Sequence, residues 1–300
     1  MPSSVTIGNF DGVHIGHQRI FQRVAEIARA NRWTPTVLTF DPHPAKVVAP
    51  ARVPLMLSDL DHRRQWMMEE GIEQVHVLPF DVEFSKLTPE QFVQTILVGK
   101  LDARAVLVGD NFRFGNRQAG DTALLRRLGE ELGFTVEVVD AVTYRGHPVS
   151  STEVRRLIGE GNVSLASRLL SRPYSLEGDV IPGRGVGSKQ TVPTLNLAAE
   201  AEVIPANGVY VTRTIDIGDK RIWKSVTNVG YRPTFDDGTN LSIETFLLES
   251  LEGETPKRIR VELLHRLRAE RKFESPEALK KQIMHDADRA RQFFRLLAQS

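Results

Sequence analysis

Through the first 170 positions of this 300-residue chain, short β-branched and aliphatic runs alternate with stretches whose apolar residues recur at helical spacing. Val5-Thr6-Ile7, Thr36 to Phe40, Val75 to Leu78, Ala105 to Val108 and Val136 to Val142 read as strands. Between them Ile20, Phe21, Val24, Ile27 and Ala28 mark one helix, and Asp61 to Glu70 a second, stopped by Gly71. Thr88-Pro89-Glu90 opens a third with a cap and an N1 proline, and Leu124 to Gly133 is a fourth. Five strands alternating with helices predict an open, mostly parallel α/β sheet. After a helix from about Ser164 to Leu170 the period changes. Tyr174 to Ile181, Val209 to Ile217, Ile222 to Val229, Ser242 to Leu248 and Ile259 to Leu267 are strand-like and separated by Gly, Pro and Asn clusters, which predicts an antiparallel barrel or sandwich. A helix capped by Ser275-Pro276 and carrying Leu279, Ile283, Phe293, Phe294 and Leu297 closes the chain. Two domains follow, 1–171 and 172–300, a number that fits the length.

Polar, glycine-bearing segments at the strand ends are where chemistry is expected, because open parallel sheets bind ligands beyond the carboxyl ends of their strands. The first is Gly8-Asn9-Phe10-Asp11-Gly12-Val13-His14-Ile15-Gly16-His17. Glycines there let a phosphate approach the backbone, and the helix that follows offers unpaired N–H groups. His14 and His17, three apart, share one face of a first helical turn and suit charge building on phosphate oxygens. As a tetrapeptide, HxGH equally describes a capped helix start with two surface histidines. Neither GxxxxGK[ST] nor GxGxxG occurs. Asp41-Pro42-His43-Pro44 is a stiff turn in which His43 either touches a ligand or is a turn residue only. In Gly109-Asp110-Asn111-Phe112-Arg113-Phe114-Gly115 the two aromatics either wall a planar ring or cover the sheet end. Ser150, Ser151 and Thr152 read first as helix caps, and with Arg155 one turn on they also make an anion site.

In the second half, Gly183 to Lys189 is a glycine-rich loop able to wrap phosphates. Thr194 and Asn196, two apart on a strand, face one side and are oxygen ligands acceptable to magnesium. Glu244, in an otherwise apolar strand, is either an exposed-face residue or a general base.

Composition narrows the classes. With 39 basic and 38 acidic side chains the net charge is +1, which gives no electrostatic ground for capturing nucleic acid or an anionic membrane. Zero cysteines exclude disulfides, thiolate zinc sites and cysteine nucleophiles. With no signal-like start and no apolar run long enough to span a bilayer, a cytoplasmic protein is expected.

GNFDGVHIGH resembles the signature of HxGH nucleotidyltransferases, specifically the adenylyltransferase module of bacterial bifunctional riboflavin kinase/FAD synthetases. Residues 109–115 and 150–155 resemble that family's VGxDFxFG and SSTxIR segments, and the order of a glycine-rich loop, PTLN, NVGYRPTF and a strand glutamate resembles its kinase module. The resemblance implies a Rossmann-like N-terminal nucleotidyltransferase domain and a C-terminal antiparallel, Greek-key-like β-barrel with a closing helix. It also implies two reactions, riboflavin to FMN and FMN to FAD, with ATP as donor and Mg2+ as cofactor. In the first module His14, His17 and Arg155, with Ser151, would stabilise charge. Gly8, Asn9, Phe10, Gly12, Ser150, Ser151 and Thr152 would bind ATP, and Asp110, Asn111 and Phe112 the flavin. In the second, Gly183, Gly187 and Lys189 would bind ATP, Thr194 and Asn196 the metal, and Glu244 would act as base. A monomer or weak homo-oligomer is expected. Three positions depart from the family: Ser188, where arginine is common, Thr191, where glycine is common, and Phe246, where histidine follows the glutamate. They leave as alternatives a chain that makes only FAD and a flavin-binding regulator with degenerate sites.

Overall fold

A computed structural model describes residues 1–182, 194–233 and 239–299. The chain packs as two units, Met1–Glu153 and Val154–Ser300.

The first unit is built on five parallel strands, β1 (Ser3–Ile7), β2 (Thr34–Asp41), β3 (Gln74–Pro79), β4 (Ala103–Gly109) and β5 (Thr135–Val139), in the order β3-β2-β1-β4-β5. Its longer helices are α1 (Ile15–Asn31), which contacts β1 and β2, α3 (Leu60–Glu69) beside β3, and α5 (Thr122–Leu132) beside β5. The short α2 (Ala45–Val48) follows β2, and α4 (Pro89–Phe92) continues as a π-helix over Val93–Lys100. Both sheet faces are buried, so adjacent strand residues enter opposite cores. Val37 and Leu107 pack with Phe21, Val24 and Met67, while Leu38 and Val106 pack with Leu97, Leu125 and Leu128. The strand expected over Val136–Val142 ends at Val139, because the chain turns away from β4 there and forms a hairpin, β6 (Thr143–Tyr144) with β7 (His147–Pro148).

Strand order reverses between β1 and β4. β2 and β3 lie to one side of β1, and β4 and β5 to the other. A crevice opens at such a switch point because successive loops leave in opposite directions.

α6 (Ser151–Gly159) and α7 (Val163–Leu170) lead into the second unit. Its strands are β8 (Tyr174–Ile181), β9 (Thr194–Ala199), β10 (Gly208–Asp216), β11 (Ile222–Pro233), β12 (Thr239–Leu247) and β13 (Arg258–Ala269), closed as a barrel in the order β10-β11-β12-β9-β8-β13. The sandwich alternative is thereby removed. α8 (Pro276–Leu297) lays Ala290 and Phe294 over Val209, Val211 and Val226. Inside the barrel, fully buried hydroxyls form a continuous string from Thr214 through Ser225, Thr212 and Thr227 to Thr245, with oxygens 2.8–2.9 Å apart. Each hydroxyl is satisfied by its neighbours, which lets polar residues occupy a core.

Candidate functional site

The loop after β1 is unusual in its backbone. Phe10 (φ 50°), Gly12 (φ 74°) and Val13 (φ 38°) all lie in the left-handed region, and strain at non-glycine residues persists only where surroundings hold it. The holding groups are visible. The buried Asp11 carboxylate accepts from Leu57 N–H (3.0 and 3.1 Å), Ser58 N–H (3.2 Å) and Ser58 Oγ (3.1 Å), and Ser58 Oγ accepts from Gly12 N–H (3.0 Å). Buried Arg63 of α3 donates Nη1 to the Asn9 carbonyl at 2.7 Å. Burial pushes the Arg63 pKa down, and Asp11, Asp41 and Asp59 oppose that shift electrostatically. His43 lies with Nε2 2.9 Å from the Asn9 amide, and its Nδ1 accepts from Ala45 N–H, so it tethers the Asp41–Pro44 turn to the loop.

His14 is the N-cap of α1, one residue outside the helix, and not part of a shared first turn. Its Nδ1 accepts from His17 N–H at 3.3 Å, and its ring stacks on His17 with centroids 3.5 Å apart and planes 20° apart. Gly16 makes room for this stack, since a Cβ there would come within 3.1 Å of the His14 ring. Phe10 packs edge-on against His17 and Phe21, in the core beneath the histidines.

Ser150 Oγ accepts from Glu153 N–H, the capping role read from sequence, whereas Ser151 Oγ donates to the Asp11 carbonyl at 2.8 Å. Loops separated by 140 residues are thus joined directly. The β4 loop completes the wall: Phe112 stacks on Phe114 (5.5 Å, 15°), and Phe114 is the buried member that covers the sheet end. The sheet-end reading thus describes Phe114, and Phe112 lies on the cavity wall.

These segments line one cavity of about 680 Å³ at the switch point. Gly8, Asn9, Phe10, His14, His17, Asp110, Asn111, Phe112, Ser150, Ser151 and Thr152 border it. Gly12 does not; its N–H is occupied by Ser58. Arg155, half-buried on α6, is not among the lining residues. Sequence reasoning missed an aromatic wall made by Phe40, Phe80, Phe84 and Phe92, whose rings pass contacts of 5.5–6.2 Å from one to the next and on to Phe114. The signal was the Phe80 and Phe84 pair just after β3. Asp11, Ser58 and Arg63 were also missed; their partners are tens of residues away, and no local pattern marks them.

In the barrel, Glu244 stands opposite Asn196 of β9 on one side and Asn228 of β11 on the other, and Phe246 stands opposite Thr194. Cross-strand partners share a face, so Thr194, Asn196, Asn228, Glu244 and Phe246 form one patch on the outer surface of the barrel. Thr194 is exposed; Asn196, Asn228 and Glu244 are half-buried. Gly183, Gly187, Ser188, Lys189 and Thr191 lie outside the described residues.

Residues 1–153 match the family model for FAD synthetase, and residues 170–294 that for riboflavin kinase. The bifunctional riboflavin kinase/FMN adenylyltransferase of Escherichia coli (strain K12) is 35% identical over 292 residues, covering 97% of this chain and 93% of its own. Its counterpart from Pseudomonas fluorescens is 36% identical over 286 residues, covering 95% and 91%. A crystal structure described as a macrolide-efflux protein from Streptococcus pneumoniae superposes with a TM-score of 0.86 at 28% identity, covering 97% of this chain and 94% of that one. Among the described residues no helix here is long and apolar enough to cross a membrane. With both family models matched in tandem and relatives above 30% identity over nearly the full length, this chain belongs to the bifunctional riboflavin kinase/FMN adenylyltransferase family.

Proposed function

We propose that the chain makes FAD in two steps: the barrel transfers the γ-phosphoryl of ATP to riboflavin, giving FMN, and the N-terminal unit joins FMN to the adenylyl group of a second ATP, releasing pyrophosphate. The observation that carries the reading is that two unrelated motif sets fall on two different folds in one chain, and each fold gathers its own polar residues.

In the second step the FMN phosphate, already an anion, attacks the α-phosphorus and needs no base. What it needs is stabilisation of charge on the transferring oxygens. Because its Nδ1 accepts from His17 N–H, His14 carries a proton on Nε2, the nitrogen proposed to serve the transferring phosphate. His17 is assigned the same duty, and so is Arg155, which stands outside the lining; Gly8, Asn9, Phe10, Ser150, Ser151 and Thr152 are placed on the ATP side and Asp110, Asn111 and Phe112 on the flavin side, while Gly12, its N–H taken by Ser58, serves the loop's shape. The aromatic wall supports a flat ring system there. In the first step Glu244 takes the proton of the ribityl 5′-hydroxyl, flanked by two amides able to orient it. Thr194 and Asn196 offer hard oxygen donors on the same face as Glu244, a set that fits Mg2+ shared with substrate phosphates. When bound, that ion neutralises charge on the transferring phosphoryl group. Gly183, Gly187 and Lys189 are assigned to ATP on sequence alone.

The functional boundary is placed at 171/172, supported by the start of the riboflavin kinase match at residue 170. A monomer or weak homo-oligomer is proposed, and the balanced charge offers no electrostatic ground for a nucleic-acid partner. Two ATP molecules per FAD fit a cytoplasmic enzyme.

The test is chromatography of products after mixing purified chain with riboflavin, ATP and magnesium. FMN followed by FAD is the expected outcome. If riboflavin persists while added FMN becomes FAD, Ser188, Thr191 and Phe246 have cost the kinase and the barrel only binds. If neither product forms, the catalytic reading fails.

A further inference from the structure

Arg63 is a charged residue only 5% exposed, and it lies outside both the family-like motifs and the cavity lining. Burying a guanidinium is costly unless its donors are used and its charge is balanced. Both conditions are met here. Nε donates to the Asp59 carbonyl (3.3 Å), Nη1 to the Asn9 carbonyl (2.7 Å), and Asp11, Asp41 and Asp59 interact with its charge.

The Asn9 carbonyl precedes the left-handed Phe10, where the loop's peptide planes are set. Asn9 itself borders the cavity, so the orientation of its peptide groups decides whether an N–H or a carbonyl would face a phosphate bound there. An N–H stabilises the negative charge that builds there; a carbonyl oxygen opposes it. A carbonyl engaged by Arg63 is turned toward α3. The neighbouring clamp fixes the other half of the loop, through Ser58 and Leu57 on Asp11 and Ser58 on Gly12.

We propose that Arg63 is a positioning residue for adenylyl transfer: by holding the Asn9 carbonyl toward α3, it keeps that oxygen's negative end away from the transferring phosphate and preorganises the β1 loop beneath His14 and His17. The inference rests on the adenylyltransferase reading above.

The experiment compares wild type, Arg63→Met and Arg63→Lys for conversion of added FMN to FAD, with riboflavin phosphorylation by the same samples as the control for intact protein, and with thermal melting of each. The expected result for Arg63→Met is a kcat for FAD formation lower by about 10²-fold, the scale of a small misplacement of reacting groups. The KM for FMN and the rate of FMN formation stay near wild type. Arg63→Lys, which keeps a cationic donor, recovers part of the loss. A folded Arg63→Met with wild-type kcat overturns the proposal, as does a change confined to KM. Should Arg63→Met not fold, Arg63→Lys decides: a lowered kcat at unchanged KM and melting temperature supports positioning, and either wild-type kcat or a kcat loss that tracks a lowered melting temperature overturns it. Absence of FAD from wild type would instead sink the adenylyltransferase reading.

Discussion

Glu244 on β12 faces Asn196 on β9 as a direct antiparallel partner, with Asn228 of β11 on its other flank. The register puts this carboxylate between two amide side chains on one outer barrel face, with the Ser242 hydroxyl 3.5 Å from its Oε1. Glu244→Gln keeps the size and removes the carboxylate proposed as the base. Riboflavin phosphorylation is expected to fall by about 10²–10⁴-fold, the usual worth of a general base, while added FMN is still converted to FAD. A product time course from each flavin separates the two; equal loss of both reactions would refute the division of labour.

The complementary prediction concerns the stacked imidazoles. His17→Ala removes a cavity-lining donor and half of the 3.5 Å stack that orients His14. FAD formation should drop about 10²–10³-fold, in the range seen for loss of one preorganised charge stabiliser, with FMN formation intact. His14→Ala adds the loss of the α1 N-cap, so its melting temperature should fall as well.

Asp11 is a structural prediction rather than a catalytic one. Its carboxylate satisfies the Leu57 and Ser58 N–H groups and the Ser58 hydroxyl in a buried setting. Asp11→Ala orphans these donors, and a loss of about 3 kcal/mol is expected from the unsatisfied groups. Denaturant unfolding of the purified chain, followed by a probe in the N-terminal unit such as Trp33 or Trp66 fluorescence, reads it.

Asp59 yields a pH prediction. Burial is the largest single influence and pushes its pKa up, yet the bonds from the His62 N–H and ring, the His62 charge and the Asp61 N–H together outweigh it and hold the folded value below the ordinary 3.8. A depressed carboxylate pKa contributes stability that is present above the unfolded value and lost as pH falls through the folded one. As the N-cap of α3, Asp59 is worth about 1 kcal/mol. Asp59→Ala should therefore be less stable than wild type at pH 7, and the gap should close as pH falls below about 4. A gap that stays constant down to pH 2 would contradict this assignment.

A last prediction tests how α8 is held. Asp286, 1% exposed, accepts from Arg268 Nε and Nη2 at 2.9 and 2.8 Å and from Gln282 Nε2 at 2.8 Å. Asp286→Ala leaves the Arg268 guanidinium without its buried counter-ion, which costs about 3–5 kcal/mol. Chemical denaturation read at Trp223, in the barrel, should show it.

What the amino-acid order determined by itself was everything carried by short-range periodicity. The alternation of strand and helix through the first 170 residues, the switch to period two after Tyr174, and the capped starts at Thr88 and Ser275 are local energetics, visible in any window of about a dozen residues. The motif residues around His14, Asn111, Ser151, Thr194 and Glu244 were legible for the same reason, because each sits within a few residues of the glycines, prolines or strand alternation that frame it. Only the tertiary structure decided which of these groups meet. Strand order placed the β1 and β4 loops on either side of one crevice, and closure of the barrel put Glu244 between Asn196 and Asn228. Burial drew Asp11, Ser58 and Arg63 under the loop, and turned an array of threonines and a serine into an internal hydroxyl string. These are partnerships across tens of residues. Their energy is gained only once the backbone between them has been ordered, so no local stretch of sequence contains it.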